Sequence, residues 1–270
     1  MTEFIALLQY IFLGAVQGLT EPLPVSSSGH LRLVQHFFGI DVPDLHFEVF
    51  LNGASLIAVF IVYRRDLMEM INGTARYVMT RERRHYGSFR FAWLIVLGTI
   101  PAIIVGGLFA DFIGGELTAI HMVALALMIT AIALWLIRNL RGDKTDEQIT
   151  VMDTVIIGLA QTLALAPGIS RSGATVVAAL ARKVSPETAL KFSFFLSIPV
   201  SIGSLVFMIP EMHAAMTAPG MFLPYVVSFT VSVIVSVFAI KLFINLVTNG
   251  RMIYFAAYCL TVSVLILFFA

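Results

Sequence analysis

The sequence predicts an all-α polytopic membrane protein, and its composition gives the first reason. Of its 270 residues, 59% are hydrophobic and 12% are charged, and the mean hydropathy is +0.94. Soluble domains carry about 25% charged residues, and one of this size could not hide so much apolar surface from water. The apolar residues come in long runs and lack the alternation of a membrane β-barrel, so we expect helical spans.

A membrane-spanning helix needs roughly 20 mostly apolar residues, and six segments provide them. These predicted spans are 47–63, 91–110, 118–137, 189–209, 221–247 and 252–270. Two further apolar stretches, 4–20 and 152–166, run into segments rich in Pro, Gly and Ser, and a weaker apolar stretch follows each one. We therefore expect two re-entrant helical hairpins, over 4–40 and 152–183.

The two hairpins repeat each other at an offset of 144 residues without a gap. The matching pairs are Gly14 and Gly158, Gln17 and Gln161, Leu19 and Leu163, Ser26 and Ser170, Ser28 and Ser172, and Gly29 and Gly173. A shared skeleton of this length is hard to obtain by chance, even in membrane sequence. We therefore divide the chain into two homologous halves, 1–140 and 150–270, each with one hairpin and three spans.

The basic residues fall in four clusters, and their placement predicts the topology. Short cytoplasmic loops collect Lys and Arg. Of the 17 Lys and Arg residues, all but Arg32 and Arg171 lie in the loop 64–90, the linker 138–150, and the segments 182–191 and 241–251. The other connections are acidic or neutral and contain Asp41, Asp44, Asp111, Glu116 and Glu211.

All four clusters face the cytoplasm only if both hairpins are re-entrant. Each half then has three full spans, an odd number, so the second half is inverted relative to the first. The first hairpin enters from outside and the second from inside, and their tips can meet near the midplane, as in other inverted-repeat membrane proteins. Non-helical backbone at that depth must be buried in protein or line a cavity. The two tips therefore predict a cavity.

The hairpin tips carry polar and ionisable residues, which are costly inside a membrane and indicate function by default. The first tip offers Glu21, Ser26, Ser27, Ser28 and His30, with Gln17 on the preceding helix, and the second offers Ser170, Arg171, Ser172 and Thr175. These residues supply a candidate nucleophile, base, carboxylate and fixed cation. Helix N-termini favour anions, and the arginine fork suits phosphate. A phosphate-bearing ligand therefore fits better than a sugar or a metal cation.

Structural roles remain open for the same side chains. Ser26 and Ser28 could cap helices or allow close packing. His30 could simply be hydrogen-bonded, and Arg171 could extend to the membrane interface.

Several protein classes are excluded. The sequence has no Walker A, dinucleotide-binding or His-Glu-x-x-His motif and no His/Cys spacing for a metal. Its net charge of +1 implies no nucleic-acid partner, and a single cysteine, Cys259, excludes a disulfide framework. The first ten residues lack the basic region of a cleavable signal peptide, so we expect them to be part of the mature structure.

Two motifs carry a resemblance to a known family. They are Gln17-Gly18-Leu19-Thr20-Glu21 with Leu23-Pro24-Val25-Ser26-Ser27-Ser28-Gly29-His30, and Pro167-Gly168-Ile169-Ser170-Arg171-Ser172-Gly173-Ala174-Thr175. Together with the chain length and helix layout, they resemble the bacterial undecaprenyl-pyrophosphate phosphatase family of the bacitracin-resistance type. That family removes the terminal phosphate of this lipid at the outer face of the inner membrane. The reaction recycles the lipid carrier for peptidoglycan and other wall polymers.

The resemblance implies roles for individual residues. Gln17 and Glu21 match the family's first motif, Ser27 and His30 match its proposed catalytic residues, and Arg171 matches its pyrophosphate-binding arginine. The resemblance also implies that a divalent cation, Mg²⁺ or Ca²⁺, supports the activity, with Glu21 as a candidate ligand. The implied partners are a polyprenyl pyrophosphate substrate and the surrounding membrane lipids.

We expect Ser27 to attack the terminal phosphorus, with His30, three residues later, as general base. The sequence leaves two alternatives open: His30 as the nucleophile, or a water activated by Glu21 and His30. The rival class is a carrier that returns undecaprenyl phosphate inward with the same arginine but needs no nucleophile. Ser27, His30 and Glu21 together favour the enzyme. The sequence leaves open the metal, the prenyl chain length and whether the protein is a homodimer.

Overall fold

The computed structural model describes residues 2–40, 45–108 and 119–269, and their regular secondary structure is helical. The helices of the first half are α1 (Thr2–Thr20), α2 (Ser27–Phe38), α3 (Leu45–Val62), α4 (Arg64–Thr80), α5 (Tyr86–Leu108) and α6 (Ile120–Ile137). Those of the second half are α7 (Val151–Leu163), α8 (Arg171–Ala181), α9 (Pro186–Phe207), α10 (Ile209–Thr217), α11 (Phe222–Thr248) and α12 (Ile253–Phe269).

The chain is an all-α polytopic membrane protein, as its composition predicts. Within the described residues, five segments are long and apolar enough to cross a membrane: Leu45–Val62, Arg83–Leu108, Ile120–Ile137, Pro186–Phe207 and Phe222–Thr248. They coincide with five of the six predicted spans, although the second begins several residues earlier. The sixth predicted span is α12, whose 17 apolar residues reach the lower end of the spanning range.

Part of the predicted layout lies outside the described residues. This applies to positions 109, 110, 118 and 270 of the predicted spans and to the acidic residues Asp41, Asp44, Asp111 and Glu116.

Residues 64–80 form a helix, α4, where the sequence analysis expects a loop. Leu67 is buried, and α4 packs along α5. Met68, Ile71 and Met79 lie on an exposed apolar stripe of the same helix. The prediction of a loop was wrong because it rested on the arginines of the segment and overlooked the helical spacing of its apolar residues. The short helix α10 was likewise not predicted.

Each hairpin packs against a span from the other half of the chain. Helix α1 lies along α11, and α7 lies along α5. Glycines permit the close approach: a Cβ at Gly14 would lie 2.3 Å from the carbonyl oxygen of Ser228, and one at Gly158 would lie 2.4 Å from that of Gly98. Gly14 and Gly158 are a matched pair of the repeat, so equivalent positions make equivalent contacts. The inverted orientation of the second half stays a prediction.

A buried carboxylate holds the linker between the halves against the second hairpin. Asp153, in the first turn of α7, is fully buried. Its oxygens lie 3.0 Å from Lys144 Nζ in the linker and 2.7 Å from Arg182 Nε at the end of α8. The carboxylate also accepts the backbone N–H of Thr150 at 3.0 Å. This ion-pair cluster joins two of the basic clusters found in the sequence.

Candidate active site

The tips of the two hairpins touch each other through a matched pair of serines. Ser26 is the N-cap of α2, and its Oγ also accepts the N–H of Gly168, in the second tip, at 3.1 Å. Ser170 is the N-cap of α8, and its hydroxyl also donates to the carbonyl oxygen of Leu23, in the first tip, at 3.4 Å. These two contacts fix the relative position of the tips.

Glu21 lies at the centre of a polar cluster that draws on both tips. One of its carboxylate oxygens pairs with the Arg171 guanidinium. The other accepts hydrogen bonds from Ser27 Oγ and, at 3.2 Å, from Gln17 Nε2. Arg171 also donates to Ser201 Oγ at 3.3 Å. The side chains of Glu21 and Arg171 are only 11% and 23% exposed, so their interaction is weakly screened.

A small cavity of about 20 Å³, room for roughly one water molecule, opens beside the Glu21 cluster. The tips contribute Glu21, Pro22, Arg171 and Ser172 to its wall. Helices α3 and α9 contribute Asn52, Ser55, Leu56, Val59, Ser193, Phe194, Ser197 and Ser201. Among the described residues that line the cavity, Arg171 is the only cation and Glu21 is the only carboxylate. An anion that enters would therefore compete with Glu21 for the guanidinium.

Among the serines predicted to bind substrate, only Ser172 lines the cavity. Its hydroxyl lies 3.2 Å from that of Ser170. Ser26 and Ser170 are occupied as N-caps and in the contacts between the tips. The hydroxyl of Ser28 lies 3.3 Å from that of Ser26. The structural interpretation of these serines is thus the one that their contacts favour.

Thr175 and Gln17 support the cluster from behind. Thr175 is fully buried, and its hydroxyl lies 2.5 Å from that of Ser193 and donates to the carbonyl oxygen of Arg171 at 2.9 Å. Gln17 is also fully buried and contacts Glu21 through its amide nitrogen. Both residues hold the charged side chains in place rather than line the cavity.

The helix N-termini offer fewer donors to an anion than the sequence suggests. The N–H of Gly29 donates to Ser26 Oγ at 3.4 Å, and that of Gly173 donates to Ser170 Oγ at 3.1 Å. Capping satisfies these donors. The anion-binding role expected of the two Ser-Gly segments therefore falls mainly to Arg171.

His30 uses both of its ring nitrogens on partners other than Ser27. Nδ1 lies 2.8 Å from the carbonyl oxygen of Ser26, and Nε2 lies 2.7 Å from the hydroxyl of Tyr258 on α12. Spacing of i and i+3 brings Ser27 and His30 to neighbouring positions on α2, but Ser27 turns to Glu21 and His30 turns to α12. The hydrogen bond between Ser27 and His30 that the general-base hypothesis requires is therefore not formed in this structure.

Asn52 was selected from the sequence as a polar residue near the tips, but the cavity serines of α3 and α9 were not predicted. Ser193, Ser197 and Ser201 recur every four residues and so lie on one face of α9. Asn52 and Ser55 approach from α3 in the same way. A stripe of hydroxyls inside an apolar span was the signal that could have identified them.

The described residues supply only part of a ligand set for a divalent cation. Nowhere in the described ranges do three or more His, Cys, Asp or Glu side chains form a group that could hold a metal. Glu21 lies in the cavity wall, whereas Gln17, whose amide oxygen is buried without a hydrogen-bond partner, lies behind it. One carboxylate suits a cation that is held mainly by substrate phosphates, as Mg²⁺ usually is.

Comparison with known proteins places this geometry in context. Residues 10–265 match the family model described as bacitracin resistance protein BacA. The chain is 48% identical over 265 residues to undecaprenyl-diphosphatase 1 of Halalkalibacterium halodurans, covering 98% of this chain and 97% of the relative. It is 45% identical over 269 residues to undecaprenyl-diphosphatase 2 of Bacillus thuringiensis, covering 100% of both. It is also 45% identical to undecaprenyl-diphosphatase of Oceanobacillus iheyensis, covering 99% of this chain and 98% of that one.

Proposed function

The chain belongs to the bacitracin resistance protein BacA family, and from this premise we propose that it hydrolyses undecaprenyl pyrophosphate to undecaprenyl phosphate and inorganic phosphate. The product is the lipid carrier for cell-wall synthesis, and the activity confers resistance to bacitracin. The observation that supports this proposal most is the cluster of Ser27, Glu21 and Arg171 at the meeting point of the two hairpins. It combines a hydroxyl, a carboxylate that can accept its proton, and a cation for phosphate.

Arg171 binds the pyrophosphate in this proposal. Its guanidinium lies in the cavity wall and presents a planar set of donors that matches phosphate oxygens. The hydroxyls of Ser172 and Ser201 lie in the same wall. The prenyl tail stays in the bilayer and enters between helices, since only the charged headgroup needs a polar cavity.

Ser27 is the proposed nucleophile. Its Oγ forms a bond to the terminal phosphorus while the bond from that phosphorus to the bridging oxygen breaks, and the lipid leaves as its monophosphate. The Ser27 proton passes to Glu21, which already accepts its hydrogen bond. Water then bonds to the phosphoserine phosphorus while its bond to Oγ breaks, Glu21 returns the proton to Oγ, and inorganic phosphate leaves.

Entry of substrate changes the partners of Glu21. In this structure Arg171 is paired with Glu21. A phosphate that takes over the guanidinium donors leaves the carboxylate to accept the Ser27 proton. The same cation therefore holds the base in place before binding and neutralises the phosphate after it.

Two other roles for these residues are alternatives within the same activity. His30 could be the nucleophile, or Glu21 and His30 could activate a water that attacks directly. Either requires His30 to leave the partners that it now has, the Ser26 carbonyl oxygen and the Tyr258 hydroxyl. The contact of Ser27 with Glu21 favours the serine mechanism.

We also propose that a divalent cation, Mg²⁺ or Ca²⁺, accompanies the substrate. Glu21, in the cavity wall, is the residue that would supply an oxygen ligand. The cation would supply neutralisation of the pyrophosphate charge.

The location of the reaction follows from the predicted topology. We propose that the protein lies in the bacterial inner membrane and that its cavity opens to the outer face. Association of two copies stays a prediction, and chemical cross-linking of the purified protein would test it.

Release of phosphate from a polyprenyl pyrophosphate by the purified protein tests the proposed function. We expect steady turnover by the wild-type protein and almost none by Ser27→Ala. Ser204→Ala, on α9 away from the cavity wall, is the matched control and should keep wild-type turnover. Substrate binding by Ser27→Ala should change little, because the hydroxyl is needed for the reaction rather than for holding the anion.

Two outcomes would contradict the proposal. Absence of phosphate release from the folded wild-type protein would favour the carrier hypothesis, which uses the same arginine without a nucleophile. Turnover by Ser27→Ala above about a tenth of the wild-type rate, a barrier change of only ~1.4 kcal/mol, would exclude Ser27 as the nucleophile.

A further inference from the structure

We propose that Tyr258 is a positioning residue for the reaction and acts through His30 on the turn that presents Ser27. This inference rests on the proposed function. Tyr258 lies on α12, in the second half of the chain, outside both of the sequence motifs described above. Its hydroxyl lies 2.7 Å from His30 Nε2, and the two rings are stacked with 10° between their planes and 5.6 Å between their centroids.

The hydrogen-bond partners of His30 assign its tautomer. The carbonyl oxygen of Ser26 can only accept, so Nδ1 of His30, 2.8 Å away, must carry the proton. In the neutral ring Nε2 is then an acceptor, and the Tyr258 hydroxyl donates to it. The Ser26 carbonyl therefore sets the tautomer, and the Tyr258 hydroxyl stabilises it by donating to Nε2.

The Ser26 carbonyl is the anchor of an unusual turn. Ser26 has φ 66° and ψ 101°, a conformation that L residues other than glycine rarely adopt. Such a conformation persists only where the surroundings fix it. The ring of His30 and its backbone N–H both contact this carbonyl oxygen, at 2.8 Å and 3.2 Å. The residue that follows the turn is Ser27.

The second hairpin supplies an internal comparison. At the offset of 144 residues, Ser170 matches Ser26, and Ala174 takes the place of His30. Ser170 has an ordinary φ of −76°. The N–H of Ala174 contacts the Ser170 carbonyl oxygen at 2.8 Å, as the N–H of His30 does for Ser26. The histidine thus occurs in the hairpin whose N-cap is at positive φ.

Tyr258 also covers His30. The tyrosine is 45% exposed and the histidine 8%, so the phenol ring lies between the imidazole and the surface of the protein. The Tyr258→Phe change keeps this cover and removes only the hydroxyl. It therefore separates the hydrogen bond from the packing.

The test measures kcat and KM for phosphate release by the wild-type protein, Tyr258→Phe, His30→Ala and the double variant. Tyr254→Phe, one turn earlier on α12 and 60% exposed, is the matched control. We expect Tyr258→Phe to lower kcat about five- to tenfold, the scale of one lost hydrogen bond, with little change in KM. In the His30→Ala background the same change should have almost no further effect, because Tyr258 acts only through His30.

A wild-type kcat for Tyr258→Phe would overturn the proposal. So would a double variant whose loss of kcat equals the product of the two single losses, because the two residues would then act independently.

If His30→Ala is too slow to measure, ¹⁵N spectra of histidine-labelled protein test the proposal instead. The chain has six histidines, and the signals lost in His30→Ala identify those of His30. We expect a protonated Nδ1 in both proteins, and a shifted Nε2 signal in Tyr258→Phe because that nitrogen has lost its hydrogen-bond donor. A protonated Nε2 in the wild-type protein would contradict the assignment. If neither the wild-type protein nor Tyr254→Phe releases phosphate, the proposed function fails, while these spectra still test the pairing of Tyr258 with His30.

Discussion

Arg171 and Glu21, which are 150 residues apart in the sequence, form an ion pair at the point where the two hairpins meet. Each half of the chain therefore supplies one member of the charged pair. Neither hairpin alone contains both the carboxylate that contacts Ser27 and the cation that would bind phosphate. The repeat thus makes the site composite, and the contacts between the tips control its geometry.

Replacement of Arg171 by lysine should impair turnover although the positive charge remains. Lysine lacks the planar fork that contacts Glu21 and Ser201 together and that would bind phosphate through two donors. We expect kcat/KM for phosphate release to fall at least about tenfold, the scale of one charge-assisted hydrogen bond. Arg138→Lys, at a half-buried arginine that lies over the Trp135 ring outside the cavity wall, is the control. Equal rates for Arg171→Lys and the wild-type protein would show that the fork is not used.

Gly168→Ala should destabilise the fold because this glycine has no room for a side chain. Its φ is +96°, and a Cβ would lie 2.6 Å from that of Ala126 and 2.7 Å from the carbonyl oxygen of Val123. We expect a loss of about 1–3 kcal/mol or more in the free energy of unfolding, seen as a lower Tm in detergent. Gly203→Ala is the control, since nothing lies within 4 Å of a Cβ there. A Tm unchanged by Gly168→Ala would mean that the second tip can move away from α6 without cost.

The fold was largely predictable because long apolar runs and their interruptions are local signals. Hydropathy predicted the five spans that the structure shows, and the interruptions rich in Pro, Gly and Ser predicted where the helices α1 and α7 end. The amphipathic helix α4 was missed, since its apolar residues face two directions and its arginines suggested a loop. Packing of α4 along α5 is a tertiary property that no local pattern contains.

The site was predictable only in its membership. Glu21, Ser27 and Arg171 were selected as unusual residues for a membrane interior, and the structure brings these three together. Which side chain pairs with which was not predictable: i, i+3 spacing suggested a Ser27–His30 pair, whereas the actual partners come from other elements. Tyr258 lies 228 residues from His30, so only the tertiary fold could reveal their contact.

Labelling of single cysteines tests the predicted topology. In a Cys259→Ala background, Arg83→Cys should resist membrane-impermeant thiol reagents in intact cells, because the basic segment 64–90 is expected to face the cytoplasm. Ala218→Cys, in the connection between α10 and α11, should react readily from outside. Both positions are exposed in the structure, so burial does not decide the result. Ready labelling at position 83 would overturn the topology and, with it, the re-entrant hairpins.

The identity of the group that accepts the Ser27 proton is the sharpest test of the mechanism. Glu21 already contacts the Ser27 hydroxyl, whereas His30 contacts Ser26 and Tyr258. We therefore expect Glu21→Gln, which keeps the side-chain shape but accepts a proton poorly, to lower kcat by about 10²–10⁴-fold, the usual cost of losing a positioned general base. His30→Ala should fall less than Glu21→Gln, because it disturbs the turn and leaves the base in place.

The double variant Ser27→Ala/Glu21→Gln should be little slower than its slower parent, since a nucleophile and its base act as a unit. Glu187→Gln, at the N-terminus of α9 outside the cavity wall, controls for the loss of a negative charge. The opposite order, with Glu21→Gln within about tenfold of the wild-type rate and His30→Ala inactive, would restore His30 as the base or the nucleophile. In that case the His30 imidazole must leave the Ser26 carbonyl and the Tyr258 hydroxyl to reach the substrate during turnover. Tyr258→Phe, which removes one of these partners, should then raise kcat instead of lowering it.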